Sequence, residues 1–337
     1  MSNRSKKKVD VSVCLYGKPF HTILAIKSLL KYSREHINKI YVTVEKNQPQ
    51  KDSNGMYLLK QVLKDEPIVY FKPKYFYNLG ELDFERTRKD AQYRYQIPYQ
   101  YVFENSTQDY VLVIHNDCLF HDDAVGQMLA TFEKGTEKLA GTGAIGQCWV
   151  CPAAFENKCK SSTFDQYKPT KNELIEMMNR HAIPRREVTM RLIHEDKIHP
   201  LPECRLNEHA ALISTAIYRE SSLPKGNNVT FAAGWGGNDW GTVWFHQMVN
   251  QGYVFKHHRL EDFATHSPFN SLGNGISAYS NSDIYWNSEE LAKKHLLENY
   301  NVSLKPKPKT KVLSAINTIK VSTKRVLVKT INRFRNR

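Results

Sequence analysis

An uninterrupted apolar run, Tyr110 to Ile114, ends abruptly in His115, Asn116 and Asp117. Five residues suit a strand, and a strand apolar at every position must be covered on both faces, so the chain needs a sheet with helices above and below it. The flanking sequence supplies such a fold. Val9, Val11, Val13 and Leu15 alternate with Asp10, Ser12 and Cys14 as a strand does, and Ile23, Ile26, Leu29 and Leu30 then recur at helical spacing. Ile40 to Val44 reads as a second strand, Met56 to Lys64 as a helix, Ile68 to Phe71 as a third strand, and Leu82 to Tyr95 as a helix. Repeated strand and helix predict an α/β fold with a mainly parallel sheet. The second half is less regular, rich in Gly, His and Trp, with a helix expected over Thr242 to Asn250 and the body ending near Tyr300.

In such sheets ligands gather beyond the carboxyl ends of the strands. Those positions hold Tyr16, Gly17, Lys18 and Pro19 after the first strand, Glu45, Lys46 and Asn47 after the second, and His115, Asn116 and Asp117 after the apolar one. No Walker A or G-x-G-x-x-G sequence accompanies them, which argues against P-loop and dinucleotide chemistry. A carboxylate at the tip of a buried strand is held rigidly enough for a divalent metal and a diphosphate to meet there, and Mn²⁺ or Mg²⁺ suits oxygen-rich sites of this kind. The bland alternative is a turn or helix cap, for which Asp and Asn are also common.

Two later stretches carry further chemistry. Gly234 to Trp240 contains three glycines, two tryptophans, Asn238 and Asp239; the glycines let a ligand approach the backbone, an indole can stack on a sugar ring, and Asp239 can act as a base if it reaches the attacking hydroxyl. His257 to His266 is a histidine-rich segment from which His266 can complete a metal site.

These motifs together resemble the GT-A class of nucleotide-sugar glycosyltransferases, in particular family 2 inverting enzymes and, for Trp235 to Asp239 and Thr265, His266 and Ser267, the W-G-G-E-D and H-S motifs of β-1,4-galactosyltransferases. The resemblance spans about residues 9 to 270 and implies a Rossmann-like GT-A sheet. It implies a nucleotide-sugar-binding half over 9–120 and an acceptor-binding half over 121–304. By the same likeness Asp117 holds metal and diphosphate, His266 is the late metal ligand, and Tyr16, Glu45, Arg86 and Asn116 bind the donor. Trp235, Gly236, Gly237 and Asn238 bind the acceptor, and Asp239 is the catalytic base. Asn78, Leu79 and Gly80 loosely match a further donor motif. Two positions depart from the pattern: His115 stands where the first acid of D-x-D is expected, and Asn238 where the galactosyltransferases have Glu. The implied reaction is inverting transfer of a hexose to a saccharide or lipid-linked saccharide in surface polysaccharide or glycolipid synthesis. The rival is a non-catalytic, zinc-stabilised protein on a degenerate GT-A scaffold that binds carbohydrate or nucleic acid.

Composition bears on two remaining features. Cys148, Cys151, Cys159 and Cys204 are spaced so that four thiols could surround one structural Zn²⁺ in an insertion over 148–204. The formal charge of +14 is concentrated in four cations within residues 1–8 and eleven, with no acid, within 305–337, so the body between them is close to neutral. No nucleic-acid partner is therefore expected of the body. Apolar residues recur at roughly helical intervals in 311–337, so residues 305–337 read as a basic amphipathic tail for an anionic membrane surface. With no secretory signal or membrane span legible, the expectation is a cytoplasmic protein resting on the inner face of the cell membrane.

Overall fold

The computed structural model describes residues 7–49, 55–77, 82–269 and 280–302. The tail expected over 305–337 and the Asn78 to Gly80 segment lie outside the described residues. Strand β1 (Val9–Leu15) leads into helix α1 (Pro19–Ser33), β2 (Ile37–Val44), α2 (Gly55–Val62) and β3 (Ile68–Phe71). The single helix expected over 82–95 is instead two, α3 (Phe84–Lys89) and α4 (Ala91–Arg94). Asp90 breaks it: its backbone is extended, and its carboxylate accepts the Tyr93 N–H to begin a new helix. Next come α5 (Gln100–Asn105), β4 (Tyr110–Ile114), β5 (Cys118–Phe120), α6 (Ala124–Glu133) and β6 (Leu139–Ile145). The 148–204 segment carries α7 (Pro152–Phe155), α8 (Lys171–Arg180) and α9 (Arg186–His194). The chain then forms β7 (Leu206–Ser214), α10 (Thr215–Ser221), α11 (Thr242–Asn250), β8 (Val254–His257), β9 (Ala264–His266) and α12 (Ser282–Tyr300).

Seven strands form one sheet in the order β3-β2-β1-β4-β7-β6-β8. All neighbours are parallel except at β7, which runs antiparallel to both β4 and β6. The result is a mainly parallel, Rossmann-like α/β fold. In β4, Leu112 and Ile114 face one core with α1, α6 and α12, while Val111 and Val113 face a second core with α5 and α11. The apolar run is thus covered on both faces, as its composition requires. β5 and β9 form a separate antiparallel pair in which Cys118 stands opposite His266. No helix among the described residues is long and apolar enough to cross a membrane.

Helix α12 clasps the start of α1. The Glu289 carboxylate accepts the Phe20 and His21 backbone N–H groups at 2.9 and 3.3 Å and meets His21 Nδ1 at 2.5 Å, with both side chains buried. It satisfies donors that the first turn of a helix always leaves over, and it sets a negative charge at the positive end of α1. Glu289→Ala orphans this set in a dry site and should cost about 3–5 kcal/mol, read as a fall in the urea midpoint; a midpoint unchanged from wild type would show that the clasp contributes nothing.

Candidate functional site

From β1 the sheet extends through β2 and β3 on one side and continues with β4 on the other. The strand order therefore reverses between β1 and β4, the crevice where open α/β sheets accept ligands. The loop after β1 and the loop after β4 meet there. Gly17 and Lys18 both have left-handed backbones, with φ of 64° and 49°. A side chain at Gly17 would collide with Pro49 and the Tyr285 hydroxyl, 2.6 and 2.9 Å from its Cβ position. This turn, fastened by the Tyr285 hydroxyl accepting the Lys18 N–H at 2.8 Å, folds the lysine inward. Lys18 Nζ then reaches Asp117 Oδ2 at 2.8 Å with both groups buried.

Three strands converge on Asp117. It follows β4, while the β5–β9 pairing brings the end of β9 alongside, so that the Ser267 N–H donates to the Asp117 carbonyl and the Ser267 hydroxyl to its Oδ2. His266 Nε2 then lies 3.2 Å from Asp117 Oδ1. His115 Nδ1 is 3.2 Å from His266 Nε2 and 3.8 Å from Asp117 Oδ1. β7, lying antiparallel to β4, supplies His209 and Glu208: the His115 N–H donates to the His209 carbonyl, the His209 ring stacks on His266 at 4.1 Å, and Glu208 Oε1 is 3.4 Å from His115 Nε2. His115, His209 and His266 each offer a ring nitrogen within 4.8 Å of the others.

The donor set fits a divalent metal. Asp117 Oδ1, His266 Nε2 and His115 Nδ1 form a triangle with edges of 3.2, 3.2 and 3.8 Å. Ligands in adjacent positions around one cation, bonded at about 2.1 Å, are spaced in this way. With imidazole in the majority, the set suits Mn²⁺ and later transition metals better than Mg²⁺, which demands oxygen.

Charge is balanced across the cluster. Burial raises the Asp117 carboxyl, but the hydrogen bond from His266 and the charges of Lys18, His266 and His115 hold it well below the usual range. Burial raises Glu208 too, and Arg205 and His115 overcome it, so Glu208 is also held low. Burial pulls His115 down, yet Glu208 and Asp117 raise it overall. His209, lowered by burial and by its two imidazole neighbours, stays neutral.

A line of polar contacts runs from here to Asp239. Glu208 Oε2 is 3.9 Å from Arg205 Nη2, and Arg205 Nη1 is 2.9 Å from Asp239 Oδ2. Arg205 is buried, its guanidinium also facing the Gln147 amide oxygen at 2.8 Å and donating to Asn207 and to the Trp240 carbonyl. Arg185 approaches Asp239 Oδ2 at 3.3 Å from the exposed side, and Oδ1 accepts the Trp240 N–H. The glycine loop has left-handed Gly236 and Gly237, whose carbonyls accept from Arg191 and Arg185. Asn238 is buried and spends its amide on the Trp235 and Gly236 carbonyls, and the Trp235 indole donates to Thr230.

The remaining expected residues are placed as follows. Tyr16 stacks on Phe76 at 5.8 Å. Asn116 donates to the Gly17 carbonyl and to Thr22, tying the two switch-point loops together. Glu45 is buried, and its Oε2 has no hydrogen-bond partner among the described residues. Arg86 lies over the Tyr93 and Tyr75 rings and pairs with Asp90 at 3.7 Å, with no contact recorded to the Asp117 cluster among the described residues. Sequence reading missed Lys18, Arg205, Glu208 and His209 as site residues. The polar triplet Asn207, Glu208 and His209 beside the apolar run Ala210 to Ile213 was the available signal, in reverse order to His115, Asn116 and Asp117, which follow their run.

No protein-family model matches the chain, and no curated protein matches it in sequence. Among solved structures it is similar to mouse xyloside xylosyltransferase 1 in its apo form, at 11% identity and a TM-score of 0.42, over 75% of this chain and 86% of that one. It is similar to core-mannan synthase A from Aspergillus fumigatus in its Mn/GDP form, at 12% identity and a TM-score of 0.39, over 80% and 77%. A mannosyltransferase from Pyrobaculum calidifontis in complex with GDP-Man and Mn²⁺ aligns over 94% of this chain and 81% of its own, at 10% identity and a TM-score of 0.44. Likeness of this degree assigns no role to any residue.

Burial lifts the Glu45 carboxyl from 4.5 to about 8. Below pH 4.5 the folded and unfolded chains both carry it neutral; as pH rises, the unfolded chain ionises first, so folding loses stability until the folded value is passed. Glu45→Gln should therefore match wild type at pH 4 and exceed it at pH 8 by up to about 4 kcal/mol. Denaturant titrations at the two pH values check this, and equal stability at both would place an ionised Glu45 in the folded protein.

Proposed function

We propose that the chain is a metal-dependent glycosyltransferase that moves a hexose from a nucleoside-diphosphate sugar to a saccharide or lipid-linked saccharide, with inversion. The observation that carries this reading is the triangle of Asp117, His266 and His115 beside Lys18 at the strand-order reversal. There a metal and an ammonium group can face a diphosphate together. When bound, the metal, Mn²⁺ in preference to Mg²⁺, supplies Lewis-acid stabilisation of the departing diphosphate. Lys18 adds a fixed positive charge on the same side, already oriented by its buried pair with Asp117. Tyr16 and Phe76 offer an aromatic face for the base, and Glu45 an unspent oxygen for the nucleoside. Asn116 acts by holding the two loops in register.

On the acceptor side, Asp239 takes the proton of the attacking hydroxyl as the new glycosidic bond forms and the anomeric carbon–phosphate oxygen bond breaks. For this Arg185, the exposed partner, must move aside, while buried Arg205 keeps the carboxylate oriented. Trp235, Gly236, Gly237 and Asn238 shape the acceptor end. The rival reading, a binding protein without turnover, draws on the cationic partners of both Asp117 and Asp239; donor binding with neither transfer nor hydrolysis would favour it. The basic tail over 305–337 would bring the enzyme to a lipid-linked acceptor on an anionic inner leaflet.

Asp239→Asn should lower kcat by about 10²–10⁴ and leave nucleotide-sugar affinity within a few-fold of wild type. Asp117→Asn should instead abolish the Mn²⁺-dependent part of nucleotide binding, measured calorimetrically across a panel of nucleoside diphosphates. Loss of both activities in both variants would sink the division of roles, and a retained anomeric configuration by NMR would sink inversion. Removing residues 305–337 should abolish co-sedimentation with vesicles rich in phosphatidylglycerol and spare transfer to a soluble acceptor; undiminished vesicle binding would refute the tail's role.

A further inference from the structure

Beyond the imidazole cluster, the chain gathers four of its six cysteines in one place, at the base of the 148–204 segment. Cys148 and Cys151 flank a short turn after β6, Cys159 follows α7, and Cys204 arrives from 45 residues further along, two residues before β7. None is in a disulfide. Cys148 Sγ meets the Ser161 hydroxyl at 3.1 Å, and the Cys159 N–H donates to the Ala153 carbonyl at 3.2 Å, which turns the chain after α7 back toward Cys148 and Cys151. Burial raises the thiols of Cys151, Cys159 and Cys204, and charge on other cysteines of the group raises each of them further. Gly146 lies against the group, and its Cβ position is 3.3 Å from Cys148 Sγ and 4.0 Å from Cys204 Sγ. Its left-handed backbone, φ 87°, and its lack of a side chain leave the sulfurs room.

We infer that Cys148, Cys151, Cys159 and Cys204 bind one structural Zn²⁺ as a closed tetrahedral four-thiolate site. On binding, each thiol gives its proton to solvent, and the sulfurs, no three of which lie within 4.8 Å of one another in this structure, close to the roughly 3.8 Å that zinc–sulfur bonds of about 2.3 Å impose. No coordination position is left for water, so the site is structural. It welds two segments distant in sequence at the point where both lead into the acceptor side. Gln147 and Arg205, whose side chains meet each other, are immediate neighbours of Cys148 and Cys204, and Arg205 holds Asp239. This site is independent of whether the imidazole cluster serves a transferase.

The test uses the full chain purified without chelator. Elemental analysis should find about one zinc per chain. Replacement by Co²⁺ should give the intense near-ultraviolet sulfur-to-cobalt absorption and the visible bands of a tetrahedral thiolate site, and this readout needs no variant. Cys159→Ser and Cys204→Ser should each lower zinc content at least five-fold, whereas His266→Ala should leave it unchanged, and chelation should expose the 148–204 segment to protease. Three results would overturn the inference: a zinc-free chain with no cobalt–thiolate spectrum, zinc lost with His266→Ala but kept in both cysteine variants, or a mass showing the four cysteines joined as disulfides.

Discussion

A carboxylate kept charged out of contact with water is the constraint on which the rest of this molecule turns. Burying Asp117 alone would be prohibitive, so the fold must deliver Lys18, His266 and Ser267 to it from two segments distant in sequence. Each delivery has a visible structural requirement. Lys18 arrives because Gly17 and Lys18 turn left-handed, with α12 bracing that turn through Tyr285 and Glu289. His266 and Ser267 arrive because β9 pairs with β5 directly after the aspartate. The clasp at α1, the small two-stranded sheet and the strand-order reversal all bear on where the partners of this one charge lie.

The single antiparallel strand extends that constraint across the molecule. Had β7 run parallel to β4, its start would lie at the opposite edge of the sheet. Running antiparallel, it brings Arg205, Glu208 and His209 to the carboxyl end of β4, where Glu208 meets His115 and Arg205 reaches on to Asp239. Positive and negative groups then alternate from Lys18 to Arg185. Aspartates 122 residues apart in sequence are linked through a series of ion pairs with separations of 3.8, 3.4, 3.9 and 2.9 Å.

Much of the first half was legible because its signals are local. β1, β3 and β4 begin and end where their alternating or apolar runs do, and α11 spans Thr242–Asn250 as its spacing predicts. β6, β8 and β9 were not legible: β8 and β9 are only four and three residues long, and Gly141 and Gly143 dilute the apolar pattern of β6, whereas β7 carries an apolar run that was present but unread. The meeting of Asp117 with His266 was expected from resemblance, whereas the parts of Lys18, Arg205 and Glu208 depend on register and on a left-handed turn that no motif encodes. The break at Asp90 shows the converse, a local cap overriding a plausible helical period.

The same electrostatics argues for how the crevice treats an incoming cation. Lys18 engages Asp117 Oδ2, while Oδ1 faces the two imidazoles, so the two oxygens are divided between a permanent ammonium and the triangle of possible ligands. A divalent ion can enter at Oδ1 without displacing Lys18, and the pair then presents charge on two sides of one carboxylate. His115 presents its other nitrogen to Glu208 at 3.4 Å, so a carboxylate stands behind the ring while Nδ1 faces the triangle.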